Sequence, residues 1–203
     1  MIKNIIFDFG GVLVDWNPHY LYDGYFKSVE KASWFIQNVI DRDWINETDG
    51  GKPMAQAVKE RIALFPEYAE PITFYQTRWM DTMGGEMSGM YDLLKWLKTN
   101  GFPTLYGLTN WSAETFPEVQ RTYRIFSLID KIIVSGEVKQ LKPYPEIFHT
   151  LLNTFNLKAE ESLFIDDNIN NVEGAKAVGI NALRFENAEK LKMNLEKLLT
   201  GNC

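Results

Sequence analysis

The sequence is poor in cysteine: its only one is Cys203, the last of 203 residues. No disulfide can form within the chain, which points to a reducing, cytoplasmic setting, and a thiol at that edge is badly placed for a nucleophile. Basic residues are outnumbered, with 21 Lys and Arg against 27 Asp and Glu, and the net charge of −6 offers no general attraction to nucleic acid or anionic lipid. Long apolar runs are also missing. The opening run is too short for a secretory core and is closed by Asp8, and no other stretch approaches the roughly 20 apolar residues of a membrane helix. Neither a membrane nor a nucleic acid is therefore expected as a partner. Internal repeats and low-complexity tracts are absent as well.

What is present is an ordinary globular composition, 45% hydrophobic, 24% charged and 14% aromatic, in a chain long enough for one domain or for one domain carrying a modest insertion. Short apolar runs that end in small or polar residues read as strands at Ile2 to Phe9, Thr104 to Thr109, Lys131 to Ser135, Ser162 to Asp166 and Asn181 to Phe185. Helical spacing follows at Pro143 to Phe155, Ile169 to Val178 and Ala188 to Leu199. This βα rhythm predicts an α/β fold, a Rossmann-like three-layer core with a parallel sheet. Residues 18–87 interrupt it with amphipathic, aromatic-rich stretches and no convincing strand, so they are expected to form an inserted helical module. The core is then residues 1–17 and 88–203. Inside the insertion, Thr48 to Pro53 reads as a turn cluster leading into a helix.

In an open parallel sheet, ligands bind beyond the carboxyl ends of the strands, so the residues that end the apolar runs are the informative ones. They are Asp8 with Gly10 and Gly11, Thr109 with Asn110, a loop reaching Lys142-Pro143, and Asp166-Asp167-Asn168. A carboxylate, a hydroxyl, a cation and an acidic pair thus converge on one edge, a set suited to attack on a phosphate whose charge must be neutralised. Asp8 is ionised at neutral pH and can be the nucleophile without a general base. Magnesium, which prefers hard oxygen ligands, is expected on Asp8, on the Gly10 carbonyl and on Asp167, with Asp166 bound directly or through water. Thr109 is expected to hydrogen-bond a phosphoryl oxygen, and Lys142 to hold the developing charge and tether Asp8.

These residues resemble the four ordered motifs of the haloacid dehalogenase-like hydrolase superfamily, over nearly the whole chain: Asp8 to Leu13, Leu108-Thr109-Asn110, Lys142 to Phe148, and Phe164 to Asn168 continuing through Asn171 to Ala175. The resemblance implies an alpha-helical cap of the C1 type at residues 18–87 that closes over and selects the substrate. The surroundings of Leu108 to Pro117 and the Gly10-Gly11 pair are most similar to the group containing glucose-1-phosphate phosphatase. It further implies a magnesium-dependent phosphatase acting on a small phosphorylated substrate, expected to be a sugar phosphate, with Asn110 beside Thr109 and Lys142 at the phosphate.

One position departs from that pattern. Family phosphatases usually carry a second aspartate two residues after the nucleophile, which protonates the leaving oxygen and activates water; here it is Gly10. Proton transfer of that kind contributes typically 10²–10⁴-fold. The gap keeps two alternatives open, a 2-haloacid dehalogenase using Asp8 and a phospho-ligand-binding protein without turnover. The adjacent Asp166-Asp167 pair favours the phosphatase. His19, after Asn17-Pro18, is expected to be exposed rather than a substitute acid, and His149 to be structural. Trp16, Trp34 and Trp44 are expected to fill the core of the helical module.

Overall fold

In the computed structural model, which describes residues 1–200, the strands are β1 (Asn4–Phe7), β2 (Val14–Trp16), β3 (Met83–Glu86), β4 (Leu105–Thr109), β5 (Lys131–Val134), β6 (Ser162–Asp166) and β7 (Asn181–Arg184). Cys203 lies outside the described residues. Five strands form one parallel sheet in the order β5-β4-β1-β6-β7. Every residue of β4 and of β6 is buried, as expected of strands covered on both faces. The period-2 alternation sorts their side chains: Ile5, Phe7, Leu163 and Ile165 enter one core cluster, while Ile6 and Phe164 enter the other.

The helices supply the outer layers. Between β2 and β3 run α1 (His19–Phe26), α2 (Val29–Asn38), α3 (Arg42–Asp49), α4 (Met54–Leu64) and α5 (Ala69–Thr77). After β3 come α6 (Met90–Thr99), α7 (Phe116–Thr122), α8 (Ser135–Val138), α9 (Pro145–Phe155), α10 (Ile169–Ala177) and α11 (Ala188–Thr200). Leu93, Leu94 and Leu97 of α6 and Leu191 and Leu195 of α11 join the first cluster, and Ile147, Phe148 and Leu151 of α9 join the second. A fully buried Phe148, edge-on to Phe164 at 5.6 Å, illustrates what holds the second layer: burial of such a side chain contributes about 1.5–3 kcal/mol.

Local chemistry explains the boundaries in the helical insertion. The Ser28 side chain caps α2 by accepting from Lys31 N at 3.3 Å. Asp41 caps α3 by accepting from Trp44 N at 2.9 Å, and its other oxygen accepts from Arg61 of α4 at 2.5 Å, so one carboxylate starts a helix and ties two together. Two expectations are corrected here. Residues 18–87 contain a strand, β3, which pairs antiparallel with β2 and so joins the two ends of the insertion. In sequence, Gly84-Gly85 reads as a break and the strand's partner is distant; a Cβ at Gly84 would lie 2.5 Å from an Asp15 carboxylate oxygen, so the Asp15 side chain would have to shift. Thr48 and Asp49 belong to α3 rather than to a turn.

Candidate active site

β1 lies at the centre of the sheet with β4 and β6 on either side, so three chain segments deliver their last residues to one edge. Asp8 follows β1, with its backbone N–H donated to Ile165 O at 2.9 Å and Phe9 N–H donating to Asp8 Oδ1 at 2.7 Å. Lys142 stands between two carboxylates: its Nζ is 2.8 Å from Asp8 Oδ1 and 2.7 Å from Asp166 Oδ2, and it donates a third bond to Leu108 O at 3.0 Å. All three donors of the ammonium are thereby used. Asp166 is fully buried, and both its oxygens accept from Asn171 Nδ2 at 3.1 and 3.0 Å, while Asn168 N–H donates to Oδ1 at 2.8 Å. Asp167 is exposed, and oxygen atoms of Asp8, Asp166 and Asp167 lie within 4.8 Å of one another.

The loop that carries Lys142 is clamped from both sides. Asn110 accepts from Lys142 N at 2.9 Å and donates from Nδ2 to Lys142 O at 3.0 Å. The Lys142–Pro143 peptide is cis, and Gly174 of α10 packs so closely under it that a Cβ would meet Pro143 O at 2.4 Å. Asn110, expected at the phosphate, is therefore occupied in positioning Lys142, with only a second N–H left for a ligand. Thr109 ends β4; it is fully buried and its hydroxyl has no hydrogen-bond partner among the described residues, an orphaned donor at the edge where a ligand's oxygen would satisfy it.

Above this edge opens a cavity of about 420 Å³. Asp8, Gly10, Asn110, Lys142 and Asp167 form its floor, and the helical insertion supplies Arg42, Ile45, Asn46, Asp49, Tyr75 and Trp79. Trp16 and Trp111 complete the walls. Trp16 packs against the first core cluster, as expected, and also borders the cavity, with the Arg42 guanidinium 5.4 Å from its ring centroid. Trp34 is half exposed against Tyr68, and Trp44, buried beside Tyr75, fills the core as expected. His19 pairs with Asp23 at 2.7 Å and His149 is exposed on α9; neither lines the cavity. The indole nitrogens of Trp16 and Trp111 are buried without partners.

Residues missed from sequence are Asn171, which holds Asp166, and the insertion's contribution, above all Asp49. Asn171 lay inside a motif and had a detectable signal; Asp49 looked like part of a turn.

The electrostatics follow from burial. Three carboxylates face one ammonium. Burial and the neighbouring Asp166 push the Asp8 carboxyl up to about 8, against the pull of Lys142, which corrects the expectation that Asp8 is ionised at neutral pH unaided: its ionisation depends on the positive charge placed beside it. Burial raises the Asp49 carboxyl to about 7, opposed by Arg42, the Ser112 N–H and Lys142. A carboxyl with a raised folded pKa contributes stability that is present below its ordinary value of 3.8 and is lost as pH rises through about 7. The Asp49→Asn variant lacks that loss, so its stability relative to the parent is expected to rise across this window, as urea midpoints at several pH values would show.

Residues 2–179 match the haloacid dehalogenase-like hydrolase family. The chain belongs to that family and is a hydrolase, with the α/β core and helical insertion its motifs implied. Over 201 residues it is 27% identical to a sesquiterpene phosphatase of Aspergillus oryzae, covering 97% of this chain and 96% of that protein. It is 24% identical over 210 residues to a D-ribitol-5-phosphate phosphatase of Bacteroides thetaiotaomicron, covering 99% of this chain and 100% of that one. A crystal structure of a family enzyme from Bacteroides thetaiotaomicron, in complex with magnesium and inorganic phosphate, superposes with a TM-score of 0.74 at 21% identity over 92% of this chain and 96% of that chain, which establishes the shared fold. Among the described residues, no helix is long and apolar enough to cross a membrane.

Proposed function

We propose that the chain is a cytoplasmic, magnesium-dependent phosphatase that hydrolyses a small phosphomonoester through an aspartyl-phosphate on Asp8. The observation that carries this is the buried Asp8–Lys142–Asp166 array at the foot of a cavity, together with the orphaned Thr109 hydroxyl at the end of the neighbouring strand β4. The three clustered carboxylates suit a hard divalent cation: they outnumber the one ammonium by two charges, and the backbone is shaped around them. Gly11 has φ +76°, and a Cβ there would lie 2.6 Å from Asp167 Oδ2, so the chain leaves this room for the Asp167 carboxylate. Asp8, Asp167 and the Gly10 carbonyl would hold magnesium directly, and Asp166, whose oxygens are already engaged, would reach it through water. Bound there, magnesium supplies positive charge against which an anionic phosphate and the ionised Asp8 can meet.

The residues of the chain then divide the work. Asp8 attacks phosphorus and the ester P–O bond breaks. Thr109 Oγ donates to a phosphoryl oxygen, and Lys142 fixes the Asp8 carboxylate while offsetting charge on the transferred group. Water subsequently takes the phosphoryl group from Asp8. Residues 18–87 act as the cap, and its aromatic walls with Arg42 and Asn46 suit the faces and hydroxyls of a sugar or polyol phosphate. Gly10 is the one observation that favours a 2-haloacid dehalogenase instead, since halide leaves without an acid; the acidic cluster opposes it. A panel of sugar and polyol phosphates assayed with and without magnesium tests the proposal. Magnesium-dependent phosphate release is expected, whereas halide release from 2-chloropropionate in the presence of a chelator would replace it.

The two neighbouring glycines should respond differently. At Gly10 a Cβ would meet only the Trp111 ring, at 3.8 Å, so Gly10→Ala is expected to leave stability and turnover nearly unchanged. Gly11→Ala puts a side chain in the left-handed region, costing about 1–2 kcal/mol, and pushes Asp167 aside. Its magnesium requirement should rise at least tenfold in a titration of turnover, alongside a lower urea midpoint.

A further inference from the structure

Loss of the aspartate at position 10 leaves the floor of the cavity without an uncommitted proton donor. Asp8 is the nucleophile, Asp167 faces the cation, and Lys142 spends its three donors on Asp8, Asp166 and Leu108. Arg42 carries a guanidinium set 5.4 Å from the Trp16 ring rather than a carboxyl, and Tyr75 is buried, which raises its hydroxyl well above the ordinary tyrosine value. One further carboxyl lines the cavity and is engaged in none of these roles. It belongs to Asp49, 8% exposed, at the last position of α3.

The placement of Asp49 is fixed from the core side. Ser135 Oγ donates to Asp49 O at 2.5 Å and accepts from Trp111 N at 2.9 Å, and Ser112 N–H hydrogen-bonds the Asp49 carboxylate. Gly51 follows closely enough that a Cβ would meet Gly136 O at 2.9 Å. The end of α3 is thus bolted to the same Trp111–Ser112 segment whose ring borders Gly10. We propose that Asp49, supplied by the cap, is the general acid and base for the reaction of Asp8, taking over the work that a side chain at Gly10 would do. The inference rests on the phosphatase reading above.

In the first half-reaction, an Asp8 oxygen bonds to phosphorus and the P–O bond to the leaving group breaks. The electron pair stays on the leaving oxygen, which takes the Asp49 proton, so an alcohol departs and Asp49 becomes a carboxylate. In the second, water attacks the phosphorus and gives a proton to Asp49. The bond to Asp8 breaks, inorganic phosphate leaves, and both carboxyls return to their starting forms. A carboxyl titrating near neutrality can serve in both directions.

Comparing esters with different leaving groups tests this. Nitrophenolate leaves without a proton, whereas the alkoxide of ribitol 5-phosphate does not. Asp49→Asn is expected to lower kcat/KM, which spans the steps up to departure of the leaving group, by about 10²–10⁴-fold on the alkyl ester and by less than about tenfold on p-nitrophenyl phosphate, while the shared hydrolysis of the aspartyl-phosphate slows on both. The urea midpoint serves as the control for folding. Adding Gly10→Asp, whose Cβ would meet only the Trp111 ring at 3.8 Å, should recover much of the alkyl turnover. Should Asp49→Asn fail to fold, the unmodified enzyme decides: its alkyl-to-aryl rate ratio should fall as pH rises above about 7. The charged and titratable groups facing Asp49 are Arg42 on its own helix, Tyr75 on α5, and Lys142 from the core. A folded variant with equal loss of kcat/KM on both esters, or with kcat/KM on the alkyl ester intact, overturns the role of Asp49, as does a pH-independent ratio. Absence of turnover by the unmodified enzyme on either ester instead overturns the phosphatase reading.

Discussion

Asp8→Asn is expected to fold normally and to lose turnover by a factor on the order of 10⁶, the scale seen when a covalent nucleophile is removed. The substitution keeps the shape of the side chain and its acceptor for Phe9 N–H, so the strand end should not move. What disappears is the anionic oxygen that attacks phosphorus, and no nearby group replaces it. Asp166 has both oxygens engaged by Asn171, Lys142 and the Asn168 N–H, and Asp167 is the exposed member of the acidic cluster proposed to hold the cation. Phosphate release at saturating substrate, with the urea midpoint as a control for folding, measures it. A loss below about a hundredfold would mean that Asp8 positions or binds but does not react.

The Lys142→Met substitution should strike stability as well as activity. Methionine is nearly as long and fits the apolar part of the lysine stem, but it leaves Asp8 and Asp166 as facing carboxylates in a buried site. Removing one partner of a buried ion pair costs about 3–5 kcal/mol, and here a single ammonium serves two carboxylates. The clamp formed by Asn110 on the backbone of residue 142 should survive, because it uses only main-chain atoms of that residue. Urea unfolding without divalent cations is expected to show the full deficit, and turnover should fall below detection. A stability loss under about 1 kcal/mol would show that Lys142 is less engaged than its 2.7–2.8 Å contacts indicate.

Much of the core was legible because its pattern is local. Ser162–Asp166 was placed to the residue, and the other strands were located with ends one or two residues too long, since apolar runs continue briefly past the last ladder hydrogen bond. Asp8, Thr109, Lys142 and Asp166-Asp167 were readable as strand-end residues, and the sheet order then brought their strands side by side. The cap was harder. Its helices showed in the spacing of their apolar residues, but β2 and β3 depend on a pairing across the whole insertion that a single window cannot reveal. The cavity-lining roles of Trp16 and Asp49 were illegible for the same reason. Burial of an aspartate at the end of α3, or exposure of an indole to a cavity, is decided by what the rest of the chain packs against them. Asn110 shows a subtler limit: its motif position was clear, but its amide serves Lys142, a residue far along the chain.

Everything proposed for the site depends on the covalent step at Asp8, and rapid acid quenching during magnesium-supported turnover of a phosphomonoester addresses that step most directly. Mass spectrometry of the peptide between Lys3 and Lys27 should find phosphate on Asp8 in the native enzyme and none in the Asp8→Asn variant. Steady release of inorganic phosphate with Asp8 unmodified, or with the phosphoryl group on another residue, would contradict it.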